Sequence, residues 1–228
     1  MFHPHASAFD VKYAPGGERR SVMIIMRDHA IRAADITLTL IGIVAVAPLM
    51  LIVAMLIYAR DPGPILFRHR RIGKGGRSFH CLKFRSMVVD SDQQLADLLT
   101  SDADARFEWA VNHKLKNDPR ITSLGRFLRK SSLDELPQLF NVLRGDMSLV
   151  GPRPIVEAEV RFYGRYFAEY RSTRPGITGL WQVSGRSDVN YRRRVAMDVV
   201  YARRRSLGMN AYIVGRTIPA VLAARGSF

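Results

Sequence analysis

The chain has 228 residues, with 35 Lys and Arg against 20 Asp and Glu and a formal net charge of +15. That length holds one sizeable core, or one modest domain and an anchor, and the charge favours polyanionic partners: anionic headgroups, phosphorylated substrates or nucleic acid. A lone cysteine, Cys81, excludes an intrachain disulfide, scattered histidines without paired spacing give no zinc site, and Gly73-Lys74-Gly75-Gly76 lacks the spacing and ending of a P-loop.

In chain order, residues 1–30 form an N-terminal tail whose first part carries His, Pro and Gly without any period and is expected to be disordered. Residues 31–60 contain the membrane segment. Ile36 to Ala59 runs without a charge, long enough to cross a hydrocarbon core about 30 Å thick. Arg19, Arg20, Arg27 and Arg32 precede it, and Arg60, Arg68, Arg70, Arg71, Lys74 and Arg77 follow. Basic flanks mark the cytoplasmic side, so both ends favour the same face. Pro48 removes one helical hydrogen bond near the middle. A helix-break-helix that re-enters the face it left accounts for both facts, and a single-pass helix with a tolerated proline is the alternative.

Residues 61–228 are expected to form one compact catalytic domain, mainly α with a small β element. Asp61-Pro62-Gly63-Pro64 reads as a turn, followed by short strands at 65–67 and 78–84 around the basic loop 68–77. Apolar spacing predicts a helix over 91–115, another beginning at Ser132, and others near 154–171, 188–206 and 209–223. The last is amphipathic and suited to packing or to a membrane surface.

Four motifs carry chemistry. Ser132 followed by Glu135 has the form of a capping box, which would make Asp134 and Glu135 ordinary acids of a first helical turn. Arg126, Arg129 and Lys130 precede them, however, and cations beside two carboxylates suit an ionised Asp nucleophile and a docked phosphate. Lys83-Phe84-Arg85-Ser86-Met87 follows a strand and offers two cations, or is a plain surface strand. Arg153 stands between Pro152 and Pro154 in a turn of restricted freedom, a fixed fork for phosphate or for an acid. The loop from Arg174 to Arg186 combines Trp181, Gln182 and two arginines with glycines, fit either for a nucleobase or for a buried structural Trp.

Taken together and in this order, LRKSSLDELPQLFNVLRGDMSLVGPRP and RPGITGLWQVSGR resemble the bacterial sugar transferase family, the monotopic polyprenyl-phosphate phosphoglycosyl transferases. The likeness covers nearly the whole chain from about Arg32. It is nearest to short members that start exopolysaccharide synthesis with galactose- or glucose-1-phosphate, a subgroup that the terminal RTIPAVLAARGSF also suits. The resemblance implies that Asp134 is a nucleophile, attacking the sugar-bound phosphate of a UDP-sugar and releasing UMP. Undecaprenyl phosphate would then take the phosphosugar. It further implies that Glu135 binds Mg²⁺, that Lys83, Arg85, Arg129 and Arg153 serve the phosphates, and that Asp198 is an acid near the site. Gln182 and Arg186 join them as binding residues of the fourth motif. It places the enzyme on the cytoplasmic face of a bacterial inner membrane, among membrane lipids and without nucleic acid, with a homo-oligomer left open. The family's membrane break reads Ser-Pro where this chain has Ala47-Pro48, and Asn210 and Arg216 replace a typical Asp and Lys. A non-enzymatic, membrane-tethered basic binding protein is the rival reading; it explains the charge but not the framed acids.

Overall fold

The computed structural model describes residues 16–112, 114–184 and 190–222. The first element, α1 (Gly16–Arg60), is a single helix with Pro48 inside it. One expectation changes here: residues 16–30 are helical rather than tail. The helix also includes Pro48, whose ring lacks the N–H that a straight helix would use there. Among the described residues this is the one helix long and apolar enough to cross a membrane, with a mean hydropathy of 2.9, and only 11% of its apolar window is buried. That low burial separates it from the core helix of a soluble protein. Its buried positions fall on both sides of Pro48: Ile31, Asp35 and Thr39 on the arm before it, Val53 and Ile57 on the arm after it. Leu38, Leu40, Ile41, Val44, Leu51 and Ile52, between or beside them, are exposed.

Both arms dock on the same domain. On the first, Arg32 donates to the carbonyls of Val142 and Leu143 at 2.7 and 3.0 Å, Asp35 accepts from the Leu149 amide at 3.0 Å, and Asp28 pairs with Arg205 at 2.8 Å. On the second, Val53 and Ile57 form a cluster with Phe84 and Leu128, flanked by Met50, Leu133 and Leu136. Full burial of a side chain such as Leu128 contributes roughly 1.5–3 kcal/mol.

Strands β1 (Leu66–Ile72) and β2 (Ser78–Phe84) pair antiparallel, with Leu66 opposite Phe84 and Ile72 opposite Ser78. β1 therefore includes half of the expected basic loop, residues 68–72. Its cations alternate between two polar faces, so no apolar alternation announces the strand, and the backbone ladder to β2 forms it instead. On the outer edge of β2, Asn141 completes the pairing that a third strand would supply: its side chain accepts from the Leu82 amide at 2.9 Å and donates to the His80 carbonyl at 2.8 Å.

The helix predicted over 91–115 divides into α2 (Ser91–Ser101) and α3 (Ala103–Asn112). Asp102 divides it, accepting the amides of Asp104 and Ala105 and so capping the second helix. Next come α4 (Ser123–Ser131) and α5 (Gln138–Arg144). No helix begins at Ser132, which ends α4 in the left-handed region at φ 58 and leads into a 3-10 turn, Leu133–Glu135. The stretch near 154–171 is likewise broken, into α6 (Val160–Tyr163) and α7 (Phe167–Arg171), with Gly164 at positive φ between them. The short helix α8 (Leu180–Val183) precedes α9 (Tyr191–Arg204), capped by Asn190, and α10 (Leu207–Leu222).

Strands β3 (Ser148–Val150) and β4 (Gly176–Thr178) pair in parallel and bring the Pro152-Arg153-Pro154 turn beside the loop after Arg174. The approach requires glycine: a Cβ on Gly176 would overlap the Gly151 amide, and one on Gly151 would overlap the Arg174 carbonyl. Gly176→Ala is expected to destabilise the protein by about 1–3 kcal/mol, the usual range for an overpacked core. Gly215→Ala, in open space within α10, should leave the melting temperature unchanged or raise it. Thermal unfolding in detergent compares the two.

Candidate active site

The 3-10 turn Leu133–Glu135 places two carboxylates beside the end of β2. Lys83 reaches both, with its Nζ 3.3 Å from Asp134 Oδ2 and 2.7 Å from Glu135 Oε1. Glu135 therefore does not close a capping box, and the Ser132 side chain makes no cap hydrogen bond. This outcome favours chemistry over capping for the two acids. Asp134 is buried and Glu135 half-buried.

Arg129 is the second cation of the site. Its Nε donates to Ser86 Oγ at 2.9 Å, and its charge acts on Asp134. Gly125 makes this possible, because a Cβ there would overlap the Ser86 carbonyl, which itself accepts the Thr122 amide at 3.2 Å. Arg126 and Lys130, one helical turn apart on α4, are exposed. Only one of the three expected cations thus serves the acids.

Burial dominates the titration of Asp134 and raises its carboxyl above the usual range; Glu135 adds to the rise, while Lys83 and Arg129 oppose it. Burial disfavours the Lys83 ammonium, but Glu135 and Asp134 outweigh that effect and hold it above its ordinary value. The two directions agree physically. A single lysine shared by two carboxylates is secured as a cation, whereas the second negative charge is incompletely offset. The pocket therefore favours additional positive charge, and Asp134 is a more basic nucleophile than a solvated Asp.

The other expected residues divide. Arg153 is exposed and lies near His69 and Arg71 of β1, where its charge acts on both; among the described residues no hydrogen bond joins it to Asp134 or Glu135. Arg85 turns towards the end of the anchor, donating to the Asp61 carbonyl and pairing with its carboxylate at 3.5 Å. Its side chain is 9% exposed, which fits a strut between anchor and β2 rather than a phosphate clamp. Gln182 donates to the Ile177 carbonyl at 3.4 Å. Trp181 beside it is buried, with the Arg194 guanidinium 4.2 Å above its ring. Asp198 belongs to the core of α6, α7 and α9, where Tyr163 donates to it at 2.7 Å. Arg186 lies outside the described residues. Sequence reasoning missed Ser86, Gly125 and Asn141, which place the cations, and Arg71, which donates to the Pro154 carbonyl at 3.3 Å and so steadies the Arg153 turn.

A buried carboxylate and a half-buried one sharing a lysine, with an arginine behind and an apolar anchor arm beneath, suit attack on phosphorus. The family model for bacterial sugar transferases matches residues 26–224. The chain belongs to the bacterial sugar transferase family. As a member it is an enzyme, a transferase. It is 48% identical over 197 residues to the exopolysaccharide production protein ExoY of Sinorhizobium fredii, covering 86% of this chain and 87% of that one. It is 49% identical to the undecaprenyl-phosphate galactose phosphotransferase of Salmonella typhimurium over 86% of this chain and 41% of the longer relative. With the UDP-glucose:undecaprenyl-phosphate glucose-1-phosphate transferase of Caulobacter vibrioides it shares 38% identity, over 94% of this chain and 76% of that one.

Among the described residues no group of three His, Cys, Asp or Glu gathers to hold a metal. Mg²⁺ does not need such a cage, since it commonly binds one or two carboxylates together with substrate phosphates. Asp134 and the half-exposed Glu135, whose ion pair engages Oε1, meet that requirement.

Burial, opposed by Tyr163 and Arg194, raises the Asp198 carboxyl to about 7. Since this exceeds its unfolded value of 3.8, its contribution to stability is complete below about pH 4 and is lost as pH rises through about 7. Asp198→Asn, uncharged and still an acceptor for Tyr163, should flatten the fall in melting temperature between about pH 4 and about pH 7. A scan of thermal unfolding against pH, for both proteins, checks the sign.

Proposed function

We propose that this transferase moves a hexose-1-phosphate from a UDP-sugar to undecaprenyl phosphate, releasing UMP and initiating exopolysaccharide synthesis. The observation that carries the reading is Asp134, buried between Lys83 and Arg129 beside Glu135, on a turn whose Leu133 and Leu136 rest against the apolar anchor. Galactose is favoured over glucose: the relatives named for galactose are 49%, 48% and 41% identical, and those named for glucose 39% and 38%.

In the first half-reaction an Asp134 oxygen attacks the sugar-bearing phosphorus. The bond to the bridging oxygen breaks, that oxygen leaves with UMP, and an acyl phosphate joins Asp134 to the phosphosugar. In the second half an oxygen of undecaprenyl phosphate attacks the same phosphorus and restores the carboxylate. Little covalent work falls to the protein beyond the nucleophile, and fixed charges carry most of the catalysis. Lys83 and Arg129 offset charge on the phosphoryl oxygens, and Lys83 orients Asp134 while pairing with Glu135. When bound, Mg²⁺ held by Glu135 and donor phosphate oxygens supplies further positive charge at the phosphoanhydride.

The anchor is read as re-entrant, on the cytoplasmic face of the inner membrane. In a spanning helix the arm before the apolar segment would lie across the bilayer from the domain, yet Asp28, Arg32 and Asp35 bond to the domain that receives Val53 and Ile57. Pro48, exposed between the arms, is where the bend is assigned.

Detergent-solubilised protein given UDP-galactose and undecaprenyl phosphate should release UMP, and Asp134→Ala should lose at least about a thousandfold in rate. Sugar-phosphate label should remain on Asp134 when acceptor is withheld; full turnover by the Ala variant sinks the nucleophile assignment. For topology, Ser7→Cys adds a second thiol ahead of the anchor, the native Cys81 being buried. An impermeant maleimide should label it in inside-out vesicles and not in intact cells, and the reverse pattern means a spanning helix.

A further inference from the structure

The β1–β2 hairpin turns alternate residues to one face. On it, Phe67 stands across the ladder from Lys83, His69 from Cys81 and Arg71 from Phe79. Since Lys83 holds the acids, this face begins at the nucleophile. At about 3.3 Å per residue, His69 lies roughly 7 Å and Arg71 roughly 13 Å beyond the Phe67–Lys83 level. The nucleophile end is also the anchor end, where Phe84 packs with Val53 and Ile57. The opposite end bridges to Ile155 and borders a cavity of about 440 Å³ lined by His69, Arg70, Ile72, Val156, Glu157 and Ala158. Small-molecule sites commonly fall between about 300 and 1,000 Å³.

His69 is prepared as a neutral donor in that wall. Arg71 Nη2 lies 3.2 Å from His69 Nδ1, and a guanidinium can only donate. Nδ1 is therefore the acceptor and Nε2 carries the proton. Burial first, then the charges of Arg71, Lys83 and Arg153, hold the ring below its ordinary titration value, in the same sense. Arg71 is itself fixed, donating to the Pro154 carbonyl and lying 3.8 Å from Glu159. The exposed Arg153 stands near His69, where its charge acts on the ring.

We propose that this cavity holds the nucleoside of the donor, with a uracil carbonyl accepting from His69 Nε2 and the diphosphate passing Arg153 towards Lys83. The inference rests on the UDP-sugar reading above. It gives the two substrates opposite approaches to one nucleophile: the soluble nucleotide from the hairpin's far end, and the lipid phosphate from the anchor end. It also makes His69 a specificity-determining residue and Arg71 the positioning residue that sets its tautomer.

The test uses the full chain in nanodiscs and a UDP-sugar that the wild type turns over. His69→Ala removes the donor; Ala158→Trp fills the cavity from an exposed position on the 3-10 turn Glu157–Glu159. Both should raise the KM for the UDP-sugar about tenfold or more while leaving the KM for undecaprenyl phosphate unchanged. Photolabelling by a 5-azido-UDP-sugar, which needs no variant to fold, should modify peptides containing 69–72 or 155–158. An unchanged donor KM in Ala158→Trp, or label confined to other peptides, overturns the cavity assignment. If the wild type releases no UMP from any UDP-sugar and takes no label, the underlying function fails instead.

Discussion

The shared hold of Lys83 on two adjacent carboxylates is the interaction on which the rest of the site depends. A lysine 3.3 Å from Asp134 and 2.7 Å from Glu135 must be delivered by a backbone that does not drift, and several devices fix the end of β2. The ladder to β1 holds one edge. Asn141, fully buried, holds the other through Leu82 and His80. Phe84 anchors the end in the apolar cluster beneath, and Arg85 ties the next residue to Asp61. The acids are constrained from their own side as well. Ser132 adopts a left-handed conformation that costs a non-glycine residue about 1–3 kcal/mol, and Leu133 and Leu136, packed on either side of the acids, enforce it.

Those leucines pack against the anchor, so the anchor is part of the site. Met50, Val53 and Ile57 lie under the turn that carries Asp134, and the other arm is fixed by Arg32 and Asp35 to α5 and β3. Apolar contact secures one arm and polar contact the other. This asymmetry follows from composition. The second arm is almost wholly aliphatic, whereas the first ends in Asp28, Arg32 and Asp35, which would be costly within hydrocarbon unless paired.

The broad architecture was legible because its signals are long. An uncharged run from Ile36 to Ala59 and apolar spacing in α9 and α10 survive any local detail. What failed was short and set by single side chains. Asp102 capped α3 and divided a helix that apolar spacing alone would continue. Ser132 and Glu135 matched a capping box in spacing, yet Lys83, fifty-odd residues earlier, competed successfully for Glu135, and no local pattern encodes a partner that distant. β1 is expected from sequence only over 65–67, and its run on to Ile72 reads as a loop, because alternation of Arg68 and Arg70 with His69 and Arg71 is polar on both faces. Within the site, Asp134, Glu135, Lys83 and Arg129 come together. Arg85 faces Asp61, a partner that lies across a proline turn, and Arg126 and Lys130 stay exposed on α4 while Arg129 is drawn inward to Ser86.

The charge excess is likewise distributed rather than uniform. Arg85 and Arg205 are tied to Asp61 and Asp28 and serve the scaffold, while Arg129, held by Ser86, acts on Asp134. Lys83 faces acids, and Arg153 stays exposed beside a neutral His69. A phosphoanhydride set along this hairpin would meet one cation already committed to the nucleophile and another still available to it. Burial is the largest cause of the raised Asp134 carboxyl, with Lys83 and Arg129 opposing it. An anionic diphosphate brings further negative charge, so on the proposed reading a divalent cation held by Glu135 and the phosphates would enter with it. Its charge would favour the ionised carboxylate that attacks, and the electrostatics around the nucleophile would be complete only with the donor bound.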